Sequence, residues 1–230
     1  MSEQAQSGWR REAVARFRSH WLLKGVGITA YITAFMWVYF TLLRHPQFPV
    51  TIMPLQSLDR WIGFAPWALI PYASLWFYIA LVPSLLWLRD EMAPYVSAVT
   101  LVCLAGCTIF LFWPTAVPPF DIDWAAHPSV AFLKAADAAG NACPSLHVAF
   151  AVLTALWLAS LLRRMRAPVL LHVLNAGWCL LIVWSTMALR QHVALDVEAG
   201  AVLGGAIAAV HLRVWRPGTV SGGYDEGENG

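Results

Sequence analysis

Charge is what this sequence has least of. Lys, Arg, Asp and Glu supply 12% of its 230 residues, about half the share found in ordinary soluble domains, and this excludes a water-soluble globule. Cysteine is scarce as well. Cys103, Cys107, Cys143 and Cys179 lie inside or beside apolar stretches with no paired spacing, which excludes a zinc ribbon or a disulfide scaffold and reads as small buried hydrophobes. The net charge of +2 is small and no basic stripe alternates with aromatics, so nucleic acid is not an expected partner. No inverted repeat of the kind many transporters carry is present. No small-residue cleavage site follows the first apolar run, which is therefore expected to be retained as a helix.

What is present is a series of long uncharged runs. Gly25 to Leu43, Trp61 to Leu88, Met92 to Phe120, Ala138 to Leu162 and Ala167 to Leu189 contain none of the four charged residue types, and Gln191 to Leu212 contains only Asp196 and Glu198 near its start. Each has the length of about 20 residues that a spanning helix needs. The chain is thus expected to be an all-α polytopic membrane protein. Its six transmembrane helices are placed at Gly25 to Leu43, Trp67 to Leu88, Tyr95 to Trp113, Pro144 to Leu162, Pro168 to Ala188 and His192 to Val214. Residues 1–24 form a basic segment ahead of the bundle, residues 25–214 the membrane domain, and residues 215–230 a Gly-rich tail expected to be disordered. In the first segment Trp9, Ala13, Val14, Phe17 and Trp21 recur at helical spacing among arginines, which suggests a helix lying in the interface; a disordered basic tail is the alternative.

The basic residues orient the bundle. With a cytoplasmic N-terminus, the inner segments hold Arg10, Arg11, Arg16, Arg18, Lys24, Arg89, Arg163, Arg164, Arg166, Arg213 and Arg216, and the outer segments only Arg44, Arg60, Lys134 and Arg190. The excess predicts both termini in the cytoplasm. The loops Arg44 to Pro66 and Pro114 to Cys143 then face outward, on the periplasmic side if the membrane is a bacterial plasma (inner) membrane.

This topology sets His147 and His192 at one depth, at the outer ends of the fourth and sixth spans. Around the first, the sequence reads Asn141 Ala142 Cys143 Pro144 Ser145 Leu146 His147. Pro144 suits the first helical position and Asn141 a cap just upstream. Ser145 and His147 then fall in a first turn, where unpaired backbone N–H groups and the helix dipole favour an anion. Around the second, Arg190 Gln191 His192 Val193 Ala194 Leu195 Asp196 puts His192 and Asp196 four apart, on one face of a helix. A carboxylate that accepts the Nδ1 proton of a histidine leaves Nε2 with its lone pair directed outward, as a nucleophile or base requires. Arg190 adds a fork of donors suited to phosphate. An Asp inside an apolar span marks a functional site by default, with His192 its expected partner, whereas Glu198 faces elsewhere.

Three other chemistries compete. His147, His192 and Asp196 are all possible zinc ligands of a metal-dependent membrane hydrolase, although Arg190 would repel a cation bound at His192. Ser145 and His147 are only two apart on a helix, so they do not face each other as a Ser-His hydrolase pair would. A proton-coupled transporter built on His192 and Asp196 is the alternative from another functional class; it has no use for the phosphate-binding turn at Ser145.

Pro144 Ser145 Leu146 His147, followed by His192, Asp196, Val197 and Gly200, resembles the second and third motifs of the type 2 phosphatidic acid phosphatase superfamily. Gln191 His192 with Asp196 Val197 and Gly200 is most similar to its inositol phosphorylceramide synthase-like branch, as are Trp113 Pro114 Thr115 Ala116 Val117 Pro118 Pro119 and, upstream, Leu58 to Phe64 with Pro71 Tyr72. The resemblance covers roughly Leu58 to Leu212. Two departures stand out: Phe120 follows the paired prolines where members often have Arg, and Thr186 stands where the phosphatase branch usually has Arg six residues before the histidine.

The resemblance implies a lipid phosphate phosphatase or lipid phosphotransferase. His192 is the expected nucleophile, passing through a phosphohistidine; Asp196 orients it, His147 is the acid and base, and Ser145 and Arg190 hold the phosphate. It implies no metal and no cofactor. The implied partners are the bilayer, a lipid phosphate or phospholipid substrate and, for transfer, an alcohol or lipid acceptor.

Overall fold

In a lipid bilayer every backbone polar group must be paired within the protein, so long apolar runs become helices. A computed structural model of the chain describes residues 3–87, 91–137 and 140–214. Its helices are α1 (Glu3–Arg18), α2 (Trp21–Arg44), α3 (Ser57–Trp61), α4 (Leu69–Ala73), α5 (Leu75–Leu85), α6 (Met92–Phe112), α7 (Pro128–Asp137), α8 (Leu146–Arg164), α9 (Val169–Ala188) and α10 (Ala194–Val214). Six units are long and apolar enough to cross a membrane: α2, the stretch Pro66–Leu85 that contains α4 and α5, α6, α8, α9 and α10. The chain is an all-α polytopic membrane protein. Arg89, Arg216 and the C-terminal tail, which entered the sequence reading, lie outside the described residues.

The bundle is built around α8, which packs on α10, α9, α5 and α6. Over half of its apolar window is buried, 56%, against 0% for α2. Two glycines bring α10 onto α8. A Cβ at Gly204 would collide with the backbone carbonyl of Ala149, and one at Gly200 with that of Ser145. Between membrane helices, where lipid tails are as apolar as leucine, such close backbone approach is a main source of attraction. Trp157 fills the centre, fully buried, edge-on to Tyr95 at 5.2 Å between ring centroids.

The second span is not the single helix expected over Trp67 to Leu88. It opens with a 3-10 turn, Pro66–Ala68, and continues through α4 to Ser74, where α5 begins. Proline lacks the N–H that would continue the ladder, and Pro66 and Pro71 both fall in this stretch. Leu88, the expected last residue, lies outside the described residues. The sixth span begins at Ala194 rather than His192, and the fourth at Leu146 rather than Pro144.

The basic N-terminal segment forms a helix, α1, not a disordered tail. Trp9 and Ala13 pack against the main apolar core, while Val14 and Phe17 stay exposed. The helix is pinned by charge. Arg16 pairs with Glu91 and, at 3.0 Å, with Glu12; Arg164 lies 3.6 Å from Glu91. Lys24 donates to the carbonyls of Arg16 (2.7 Å) and Ser84 (3.1 Å). At the opposite end of the bundle, the two long loops are stitched together by a minimal parallel pair, Thr51–Ile52 with Thr115–Ala116. An antiparallel bridge from Ala116 to Gly140 extends it. This tie brings the loops over the start of α8 and α10.

Candidate functional site

Ser145 is the N-cap of α8. Its Oγ accepts the Val148 N–H at 3.2 Å, one of the donors that a helix start leaves unpaired. This corrects the expectation that Asn141 caps the helix and Pro144 opens it. Asn141 instead takes a left-handed conformation, φ 49, and its side-chain N–H donates to the Tyr39 carbonyl at 3.3 Å. Ser145 is fully buried beneath Gly200, and its backbone N–H donates to the Asp196 carbonyl at 2.9 Å. The first turns of α8 and α10 are thereby fastened to each other.

His147, one residue into α8, stacks on the Tyr72 ring, with centroids 4.0 Å apart and planes within 16°. Its Nε2 is 3.1 Å from the Tyr72 carbonyl oxygen. A carbonyl only accepts, so Nε2 carries the proton of this bond and Nδ1 is the nitrogen left for other work.

The chain leaves α9 through a tight turn. Gln191 and His192 both donate their backbone N–H to the Thr186 carbonyl, at 3.0 and 3.2 Å, and Arg190 sits at φ 57. Thr186 supplies the backbone acceptor that shapes this turn. His192 therefore precedes α10 instead of riding on it. Its Nδ1 lies 3.6 Å from Oδ2 of Asp196, near the carboxylate but beyond hydrogen-bond distance. That carboxylate accepts the Val193 N–H at 3.0 Å, and this bond helps to start α10.

Arg190 is held by its loop. Two of its five N–H groups donate to the carbonyls of Asp59 (2.8 Å) and Ile62 (2.7 Å), leaving the others for a ligand. Its guanidinium lies 4.7 Å over the ring of Phe120, so Phe120 supports an Arg from another segment. Burial lowers the guanidinium's pKa and the Asp59 carboxylate raises it; an Arg in such surroundings remains charged.

The structure adds residues that the sequence reading did not single out as site residues. Asp59 is 3% exposed. One of its oxygens accepts the Ala194 N–H at 2.8 Å, capping α10 from a distant loop, and the other accepts the Gln56 N–H at 2.7 Å. The available signal was a carboxylate next to a long uncharged run. Gln191, 2% exposed, has no partner for either polar side-chain atom, and the same holds for Arg190 Nε, His192 Nδ1 and Asp196 Oδ1. Each such orphan costs about 1–3 kcal/mol, and native proteins keep them chiefly where they serve a purpose.

His147 and His192 share the wall of one cavity of about 450 Å³, together with Tyr72 and Asn141. Asp196, Ser145 and Arg190 stand outside that wall. Among the described residues, no group of three or more His, Cys, Asp or Glu is placed to hold a metal ion. Cys143 and Cys179 are buried and Cys103 and Cys107 half-buried, all as free thiols.

Six apolar spans, with two histidines on one cavity and a buried carboxylate behind one of them, define a polytopic membrane protein with an embedded polar site. The family model described as the PAP2 superfamily matches residues 92–218, more than half of the chain. The chain belongs to that superfamily, whose members are typically phosphatases or phosphotransferases. Both site segments fall within the match, while Asp59 and Tyr72 precede it. No curated protein and no solved structure matches the chain.

Proposed function

We propose that this protein is a metal-independent lipid phosphate phosphatase or lipid phosphotransferase working through a phosphohistidine on His192. The observation that carries the reading is the shared cavity wall of His147 and His192, with Asp196 3.6 Å from Nδ1 of His192. Catalytic hydrogen bonds are often long before substrate binds. Contraction of this one would leave Nε2 of His192 deprotonated and facing the cavity.

The Nε2 lone pair attacks phosphorus as the P–O bond to the lipid alcohol breaks. His147, protonated on Nδ1 as well as Nε2 when the substrate is bound, gives the Nδ1 proton to the departing alkoxide. In the second half, water or an alcohol attacks phosphorus, the P–N bond breaks, and His147 takes the proton. The unengaged donors of Arg190 and the first-turn amides of α8, held in place by the Ser145 cap, neutralise the equatorial oxygens, which is most of what a protein contributes to phosphoryl transfer. Ser145 contributes its hydroxyl proton to the same task. The site faces outward, with both termini cytoplasmic, so the substrate's headgroup enters from the outer leaflet while its tail stays in lipid.

The test uses purified protein with a lipid phosphate in mixed micelles and a chelator. Wild type releases or transfers phosphate, rapid quenching at alkaline pH traps a phosphoryl group on His192, and His192→Ala does neither. Turnover that persists in His192→Ala overturns the mechanism. Turnover abolished by chelator and restored by zinc assigns the site to a metal hydrolase. For orientation, Ala126→Cys reacts with an impermeant thiol reagent on intact cells; protection reverses the topology.

A further inference from the structure

The proposed chemistry makes no use of α7, yet this short helix of the second long loop is seated against the site. Val130 and Leu133, three apart and so on one face, pack into a cluster with Tyr72, the stacking partner of His147, and with Ala188 and Leu189 at the end of α9. Leu133 also belongs to the cavity wall that holds His147 and His192. The next residue, Lys134, shares the Val130 face at a spacing of four, and its ammonium donates to the backbone carbonyl of Arg190 at 2.7 Å. The same ammonium lies 5.3 Å from the centre of the Trp124 ring, which packs edge-on against Phe64.

Arg190 needs such a hold. It lies just past the end of α9, where carbonyls have no helical donor. Its φ of 57 puts a non-glycine residue in the left-handed region, which costs energy and persists only where the surroundings enforce it. A bond from an ammonium to that carbonyl is charge-assisted, roughly twice as strong as a neutral one, and it ties the peptide that follows Arg190 to α7. The side chain is fixed separately, by the carbonyls of Asp59 and Ile62 at 2.8 and 2.7 Å and by the Phe120 ring at 4.7 Å. Arg190 is thus held at both ends. His192 has holds of its own: its N–H bonds to the Thr186 carbonyl at 3.2 Å, and the N–H groups of Val193 and Ala194 beside it bond to Asp196 and Asp59. Loss of the Lys134 bond therefore falls on Arg190.

Resting on the phosphoryl-transfer reading above, we infer that Lys134 is a positioning residue for that reaction, setting the Arg190 guanidinium toward the substrate phosphate by clamping the Arg190 carbonyl. Lys134 is absent from the cavity wall and acts through Arg190. Val130 and Leu133 seat α7, and Lys134 delivers the clamp.

The experiment is a double-mutant cycle on the purified full chain in mixed micelles, with kcat and KM for a lipid phosphate measured per folded molecule. Lys134→Met keeps the apolar stem and removes the donor. Arg190→Lys keeps a charge and measurable turnover but lacks the fork that Asp59 and Ile62 hold, so no fixed guanidinium remains to be positioned. A displacement of about 1 Å costs up to roughly 10²-fold, so Lys134→Met loses about 10- to 100-fold in kcat/KM in the wild-type background and less than about threefold in the Arg190→Lys background. Lys134→Arg, whose charge-assisted bond replaces the lost one, stays within about threefold of wild type. An equal loss in both backgrounds, as the missing charge or a weakened fold would give, overturns the proposal. So does an unchanged rate in Lys134→Met, or a Lys134→Arg variant as slow as Lys134→Met. Where Lys134→Met yields no folded protein, Lys134→Gln, shorter and uncharged, takes its place in the cycle with the same outcomes. Each of these results leaves the phosphoryl-transfer reading standing. Absence of turnover by wild type on every lipid phosphate defeats that reading, and this proposal with it.

Discussion

The two ends of the bundle bury similar groups and treat them in opposite ways. At one, Arg16 is hydrogen-bonded to Glu91 and Glu12 and Lys24 to two backbone carbonyls, with Arg164 3.6 Å from Glu91. At the other, Arg190, Gln191, His192 and Asp196 keep buried polar atoms without partners. The first arrangement joins α1, α2 and α8 around the start of α6, and its satisfied charges have little left to offer a ligand. The second is held by the Ser145 cap, the Thr186 carbonyl, Asp59 and Phe120, which fix the backbone and the Arg190 guanidinium while leaving the chemical groups unspent. A membrane protein tolerates buried polar atoms at both ends, but only unspent ones do chemistry.

Substitutions at the two ends should separate these roles. His192→Ala has the largest effect on turnover, a loss of about 10⁴-fold or more, and because it removes an orphaned polar group its thermal unfolding in detergent does not occur earlier. Asp196→Asn follows, about 10³–10⁴-fold slower in kcat. The Asn oxygen still accepts the Val193 N–H, so circular dichroism melting shifts little; a collapse of stability equal to the loss of rate would make Asp196 a cap and nothing more. Asp59→Asn touches no substrate but loosens the start of α10 and the support beneath Arg190. A displacement of about 1 Å at a reacting group costs up to roughly 10²-fold, and the loss should appear in kcat/KM with wild-type rates regained at no pH.

The smallest effect on turnover belongs to the opposite end. Glu91→Gln leaves Arg164 without this counter-charge and Arg16 with Glu12 alone, and breaking such a buried pair costs about 3 kcal/mol. The variant should unfold at a lower temperature while phosphate release per folded molecule stays at the wild-type value. If Glu91→Gln slowed chemistry as Asp196→Asn does, the division between a structural end and a chemical end would be lost.

The sequence alone determined the class and singled out the candidate site residues. Uncharged runs of spanning length force helices in lipid, and all six spans emerged near their expected places; the spacing of His192 and Asp196 is local enough that the two stay 3.6 Å apart even though the helix starts two residues late. What only the tertiary structure decided depends on contacts between residues far apart in the chain. Asp59 reaches Ala194 across 135 positions, and Arg190 reaches Asp59 across 131. These contacts follow from the docking of α10 on α8 through Gly200 and Gly204 and from the pairing of two loops, not from any local pattern. The same holds for the cavity along α2. Hydrophobicity places a helix in the membrane, but how far it stands from its neighbours is set by side-chain shape at every contact, and that distance is what opens a cavity beside two histidines.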